Sequence, residues 1–192
     1  MNSTILVLFV LIVVVLAVMV GLMVVLSYAK STNERLMSVW HEVVSDIQDY
    51  STHVASLLAL TREYDIEPQL SERIEGLLAE LQKDLDIKNT VVAANRYAVV
   101  KERVSTLMTV TATNDFVSHT PSFEQVAKSF ADSESMLENS ITLFNQQAEK
   151  YNHSIGSPLV APFAALFGLQ KANQFVADGQ TIIESDITDD SV

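Results

Sequence analysis

Apolar side chains are distributed along this chain in two regimes. From Ile5 to Leu26 they are nearly continuous, 22 residues without a charge. A helix rises ~1.5 Å per residue, so this run covers the ~30 Å hydrocarbon layer of a bilayer and predicts a transmembrane helix. Beyond it the apolar positions recur at alternating intervals of three and four. Leu36, Trp40, Val43, Ile47, Tyr50, Val54 and Leu57 keep that rhythm without a miss, and it extends towards Thr61 and Tyr64. This is the seam of a long helix packed against others, running straight out of the apolar stretch. Glu67-Pro68 ends it, because proline disfavours helix in the residue before it.

Two further seamed segments follow, one with Leu70, Ile74, Leu77, Leu81 and Leu85, the other with Ala93, Tyr97, Val100, Val104 and Leu107. Pattern leaves open whether they form one helix irregular near Asp86–Asn89 or two. Thr111 to Ser122 is a polar connection, and Ser122 with Gln125 three residues later reads as a capping box opening the next helix. That helix carries Phe123, Val126, Phe130, Leu137, Ile141, Phe144, Ala148, Tyr151 and Ile155, and Gly156 and Pro158 close it. Pro162 suits a first helical turn, so Phe163 to Val176 reads as a short apolar helix. The expected organisation is a short tail (1–4), a transmembrane helix (5–27), an antiparallel bundle of long helices (28–177) and an acidic, disordered tail (178–192). The fold class is all-α.

Composition changes this picture in two places. The chain has 12 basic and 24 acidic residues, a net charge of −12, which excludes nucleic acid as a partner because phosphate binding needs clustered Lys and Arg. The absence of cysteine excludes disulfides, thiolate catalysis and Cys-based zinc sites. A cleaved signal peptide ending near Ser27-Tyr28-Ala29 is the rival reading of the apolar run. The run is longer than the usual h-region, and Met1 to Thr4 carries no positive charge. Lys30 and Arg35 are the first basic residues after Leu26 and place the following domain in the cytoplasm. Ala17 and Gly21 form a small-xxx-small pair that would let two anchors pack closely.

The heptad-spaced pairs Phe144-Asn145 and Tyr151-Asn152, followed by Ile155 and by Ala164-Ala165-Leu166-Phe167-Gly168-Leu169, resemble the C-terminal signature of the LemA family. There, two Tyr-Asn pairs lead into a turn and a Phe-Gly-containing segment. Glu134, Phe130, Val126 and Phe123 fall in the same register, as do Trp40, Val43, Ile47, Leu57, Leu58 and Tyr64 of the first helix. The likeness covers most of the chain from Tyr28 to Phe175. It implies one span and a helical domain in a bacterial inner membrane. It also implies a non-catalytic role in membrane organisation, with a homo-oligomer or another membrane protein, a membrane protease among them, as partner. The departures are those of a divergent member. Asp49, Tyr50 and Ser51 replace the family's basic stretch, Val54-Ala55 its Ile-Pro pair and Ile141 an Arg, and Pro158 is shifted by one position.

No residue pattern specifies catalysis or a cofactor. None of His41, His53, His119 and His153 has metalloprotease spacing, and no phosphate loop or nucleophile elbow is present. Glu42, Asp46, Asp49 and His53 share one helix face, either as possible metal ligands or as a solvated acidic stripe. Glu134 interrupts an apolar seam and reads as an interhelical polar contact setting register. Asn145 and Asn152, at the seam's edge, are expected to hydrogen-bond across helices near Gly156. The segment Leu159 to Leu169, with Pro162, Phe163, Leu166, Phe167 and Gly168, is too short to span a membrane. It is a candidate core cap, interfacial element or subunit contact. The reading is therefore a membrane-anchored, self-associating scaffold, with a sensory module as alternative.

Overall fold

The computed structural model describes residues 3–158, 160–166 and 168–177. The described residues are helical, with no strand. Helix α1 (Ser3–Glu63) runs unbroken for 61 residues, ~90 Å, through both regimes of the sequence. Its N-terminal part is long and apolar enough to cross a membrane.

The chain reverses at Asp65 and Glu67, both in the left-handed region (φ 53° and 44°), while the Ile66 amide bonds back to the Thr61 carbonyl. Pro68 then opens α2 (Pro68–Lys83) at a position where a missing N–H costs nothing. The choice left open by periodicity resolves to two helices. After α2 the chain turns at Asp84 and passes through a 3-10 turn (Ile87–Asn89), where the Asp86 carboxylate accepts from the Lys88 amide, into α3 (Thr90–Ala112). Arg96 of α3 pairs with Asp84 and Glu80 and fastens the two helices across that turn.

Helix α4 (Pro121–Gly156) starts differently from the expectation. Its cap is Thr120, whose hydroxyl accepts from the Phe123 amide, and Pro121 occupies the first turn, so Ser122 lies inside the helix. Proline's fixed φ outweighs the capping-box spacing.

Helix α4 runs back along α1 in the opposite direction. Trp40 meets Phe144 (5.1 Å between ring centroids), Asp46 accepts a hydrogen bond from Ser140, and Tyr50 meets Phe130 (5.4 Å). One core takes in Leu36, Val43, Ile47, Val54 and Leu57 of α1, Ile74 and Leu81 of α2, Val100 and Leu107 of α3, and Leu137 and Phe144 of α4. On α2 it is Leu78 that is buried, with Leu77 half-buried, and the α1 seam ends at Thr61 because Tyr64 is exposed. Leu60, Ile66, Val117 and Phe123 close the far end of the assembly as a small separate cluster.

The largest departure lies after α4. The apolar helix expected over Phe163 to Val176 is confined to α5 (Ala161–Leu166), and residues 169–177 follow as non-helical chain laid against α4. The tail 178–192 lies outside the described residues.

Candidate functional site

Two places on this framework carry residues singled out by the sequence. The first is a cleft between α3 and α4. Phe144 and Tyr151 are buried, and the asparagine following each stands at the rim of the core. Both asparagines use the whole amide on one residue of the 169–177 segment. Asn152 donates from Nδ2 to the Ala172 carbonyl (2.8 Å) and accepts at Oδ1 from the Ala172 amide (2.8 Å). Asn145 does the same with Phe175, at 3.2 and 2.7 Å. Thr90, the first residue of α3, donates to the Asn173 carbonyl (3.3 Å). The Phe175 ring is buried between Trp40 (6.2 Å) and Tyr97 (6.1 Å). Asn145 and Asn152 thus bond not to helices or to the chain around Gly156 but to an extended strap. We refer to this grip as the asparagine clasp.

The spacing explains why the motif repeats at seven. Seven residues of helix advance ~10.5 Å, and three residues of extended chain advance ~10 Å. Two asparagines one heptad apart therefore match two strap residues three apart, here Ala172 and Phe175. The aromatic of each pair fills the core, and its neighbour satisfies main chain that would otherwise lie half-buried without partners.

Beyond Phe175 the cleft opens into a cavity of about 360 Å³ lined by Tyr97, Lys101, Glu138, Ile141 and Ala177, among others. Lys101 pairs with Glu134 (3.2 Å) and Glu138, and their carboxylates hold its ammonium well above the ordinary lysine range. Glu134 is therefore a half-buried contact from α4 to α3, while the neighbouring Ser133 occupies the buried position. Burial pushes the Tyr97 phenol up to about 12 and the Tyr50 phenol higher still. The two rings pack edge to face at 5.7 Å, and neither hydroxyl has a hydrogen-bond partner among the described residues.

The second place is the end of the assembly where α1 leaves it. The C-terminal turns of α4 pack beside the last apolar residues of α1. An apolar cavity of about 340 Å³ is lined by Val24, Val25, Tyr28, His153, Ser154, Ser157 and Val160. A more polar one, about 590 Å³, adjoins it and includes Tyr28, Arg35, Lys150 and His153. Ala17 and Gly21 are exposed, and nothing lies within 4 Å of a Cβ built on Gly21, whereas Leu26 is half-buried. In the 159–169 segment Val160 and Ala164 are buried in the core, Phe163 is half-buried and Pro162 exposed. Gly168 takes a left-handed turn (φ 67°) into the strap. Leu159 and Phe167 lie outside the described residues, as do the side chains of Ile5 and Leu166.

Asp46, Asp49 and His53 do share a face, and α4 adds Asp132 beside them around a shallow depression. Asp46 is engaged by the Ser140 hydroxyl, and no group able to hold a metal ion is found among the described residues. Along this edge Glu42 and Asp49 are exposed and Asp46 and His53 half-buried. No family model and no curated protein matches the chain, so the LemA resemblance rests on the residues quoted for it.

Proposed function

We propose that this protein is a single-pass, membrane-anchored helical scaffold of LemA-like character, an antiparallel bundle held at a bacterial inner membrane, that associates with itself or with other membrane proteins and carries out no catalysis. The observation that carries this reading is the continuity of α1. One helix presents exposed apolar side chains along Val7 to Val24 and then, without a break, the buried seam from Leu36 to Leu57. Each large apolar side chain left in water forfeits ~1.5–3 kcal/mol, so an N-terminal half bare on every side calls for lipid around it.

Several details support the placement. Val24 and Val25, the end of the apolar run, line one cavity with Ser157 and Val160, which favours an α4–α5 turn close to the bilayer surface. Exposed Tyr28 sits at the depth where interfacial aromatics are favoured, and Lys30 and Arg35 just beyond it favour a cytoplasmic domain. The open Ala17–Gly21 face is suited to a second anchor. Mild crosslinking in native membranes, followed by identification of what co-purifies, tests the scaffold role. Self-adducts or a reproducible membrane-protein neighbour, such as a protease, are expected. A chain that stays monomeric and alone under native mass spectrometry contradicts it.

A sensory module is the second reading, favoured by the same unbroken helix, since a rigid rod from span to core would carry a shift at one end to the other. Co-purification of a kinase would favour it.

A further inference from the structure

The groove that α1 and the last turns of α4 leave between them changes chemistry along its length. Beside the end of the apolar run, Val24, Val25 and Val160 line the cavity of about 340 Å³. Further from the span, past Tyr28 and His153, which line both cavities, it becomes the polar one of about 590 Å³, with Arg35 and Lys150 on its walls. Glu149 is the single acid lining that part among the described residues, so bases outnumber acids there, the reverse of the chain as a whole. Arg62, Arg96 and Lys101 each pair with a carboxylate, whereas neither Arg35 nor Lys150 has an ion-pair partner among the described residues. A third group is also left over. Ser154 lines the apolar cavity and is only 6% exposed, and its Oγ has no hydrogen-bond partner among the described residues. Ser51, Thr111 and Ser133, at least as buried or nearly so, each donate to a carbonyl of the preceding turn.

We propose that this groove is a binding site for one anionic membrane phospholipid. An acyl chain lies against Val24, Val25 and Val160, the glycerol ester accepts a hydrogen bond from Ser154, and the phosphate sits between Arg35, Lys150 and His153. These groups follow one another along α1 as the parts of a phospholipid do along the bilayer normal. The headgroup layer is ~5–8 Å thick on each side of the hydrocarbon. The helix advances ~7.5 Å from Leu26 to Ser31, so Tyr28 to Thr32 stand at the depth of that layer. Helical side chains lean towards their own N-terminus, which for α1 is the span, so Arg35 leans towards the layer as well. The span itself says what reaches the groove. Val24 is 64% exposed and continuous with the bare apolar run, so the lipid around that run meets the mouth of the cavity. A neutral lipid would fill the apolar part and leave both cations unpaired, whereas an anionic one answers all three leftover groups. The inference rests on the membrane placement proposed above and gives it a ligand.

The test offers the full-length chain, in a neutral detergent, phosphatidylglycerol or phosphatidylcholine with the same acyl chains, and reads single-lipid adducts by native mass spectrometry. One phosphatidylglycerol per chain is expected, retained at least about tenfold better than phosphatidylcholine. Arg35→Gln with Lys150→Gln, both at exposed positions, should bring phosphatidylglycerol down to the phosphatidylcholine level. Ser154→Ala should weaken both lipids about fivefold, because the ester is common to the two. Thermal unfolding of these variants in lipid-free detergent should match that of the parent chain, which separates a lost ligand from a lost fold. Equal adducts of the two lipids overturn the proposal, as does a phosphatidylglycerol adduct indifferent to the Arg35 and Lys150 changes. Excess inorganic phosphate should leave the adduct in place, and displacement by it would mean a site for the anion alone and overturn the lipid. Flotation with phosphatidylcholine vesicles separates the two claims. A chain that floats but shows no preference between the lipids keeps the span and removes only this site, whereas one that stays in solution removes both.

Discussion

Val7 to Val24 and Leu36 to Leu57 belong to one helix, yet they solve opposite problems. In the first stretch the apolar residues are so dense that no face is polar, and every large side chain from Val7 to Val20 is about half exposed or more. In the second, an apolar seam recurs every three or four residues, and the seam positions are almost completely buried. Helix geometry is the same in both, so the difference is one of solvent. Such a seam can be covered by neighbouring helices of the same chain, and α4 covers it with help from α2, α3 and the strap. An apolar cylinder cannot be covered that way, and among the described residues no element lies along Val7 to Val20. Density of apolar residues, not their identity, separates what packs on protein from what faces lipid.

That comparison can be broken most directly by exchanging the logic of the two halves. Two arginines at the centre of the bare half (Val14→Arg with Val15→Arg) cost ~2.5–3.5 kcal/mol each for insertion and should move the protein from membranes to the soluble fraction in a flotation assay. A truncation in the buried half should instead leave the protein in the membrane but loosen it. Phe144→Ala removes a fully buried ring from against Trp40, and a loss of ~3–5 kcal/mol in detergent-solubilised unfolding is expected. If Phe144→Ala released the protein from membranes, the two halves would not be the separate problems they look.

A smaller effect is expected at the clasp. Asn145→Ala or Asn152→Ala leaves a half-buried amide and carbonyl of the strap without their partner, a loss of ~1–3 kcal/mol in all. Hydrogen exchange should then rise at 172–175 while the α1–α4 core stays protected. The smallest concerns the buried phenols. Tyr50→Phe deletes a hydroxyl without a partner and should be neutral or stabilising by about 1 kcal/mol.

The phenols also give a pH dependence of definite sign. The folded state holds Tyr97 protonated up to about 12, above its ordinary value of 10.0. The stability this contributes is complete below the unfolded value. It is lost as pH rises from there through the folded one. Absorbance titration should show this pair of phenolates appearing together with unfolding, and Tyr50→Phe with Tyr97→Phe should remove that coincident phase.

Much of this architecture was readable from spacing. The α1 seam, the break at Glu67-Pro68 and the α4 seam follow from apolar periodicity and proline, because side-chain burial on a helix leaves a regular trace. The strap left a misleading one. Leu169, Ala172, Phe175 and Val176 recur at three and four as helix residues do, and an extended chain clasped every third residue produces the same interval. What distinguishes the cases is a donor and acceptor on another element that competes for the strap's main chain, and no local pattern of the strap contains that information. The sign was present elsewhere, in Asn145 and Asn152 one heptad apart, since polar amides repeating beside buried aromatics have to bond something running alongside. The pairing of Glu134 with Lys101 of α3 was hidden for the same reason: the seam reveals that a polar group sits there but not which helix faces it.

The account depends first on α1 being retained and held in lipid. Flotation of membranes from cells making the full chain, followed by an alkaline carbonate wash and determination of the N-terminus, tests this in one experiment. Protein still beginning with the apolar run and remaining with the floated membranes after the wash is the expected result. A mature form starting near Lys30 and recovered in the soluble fraction would contradict it.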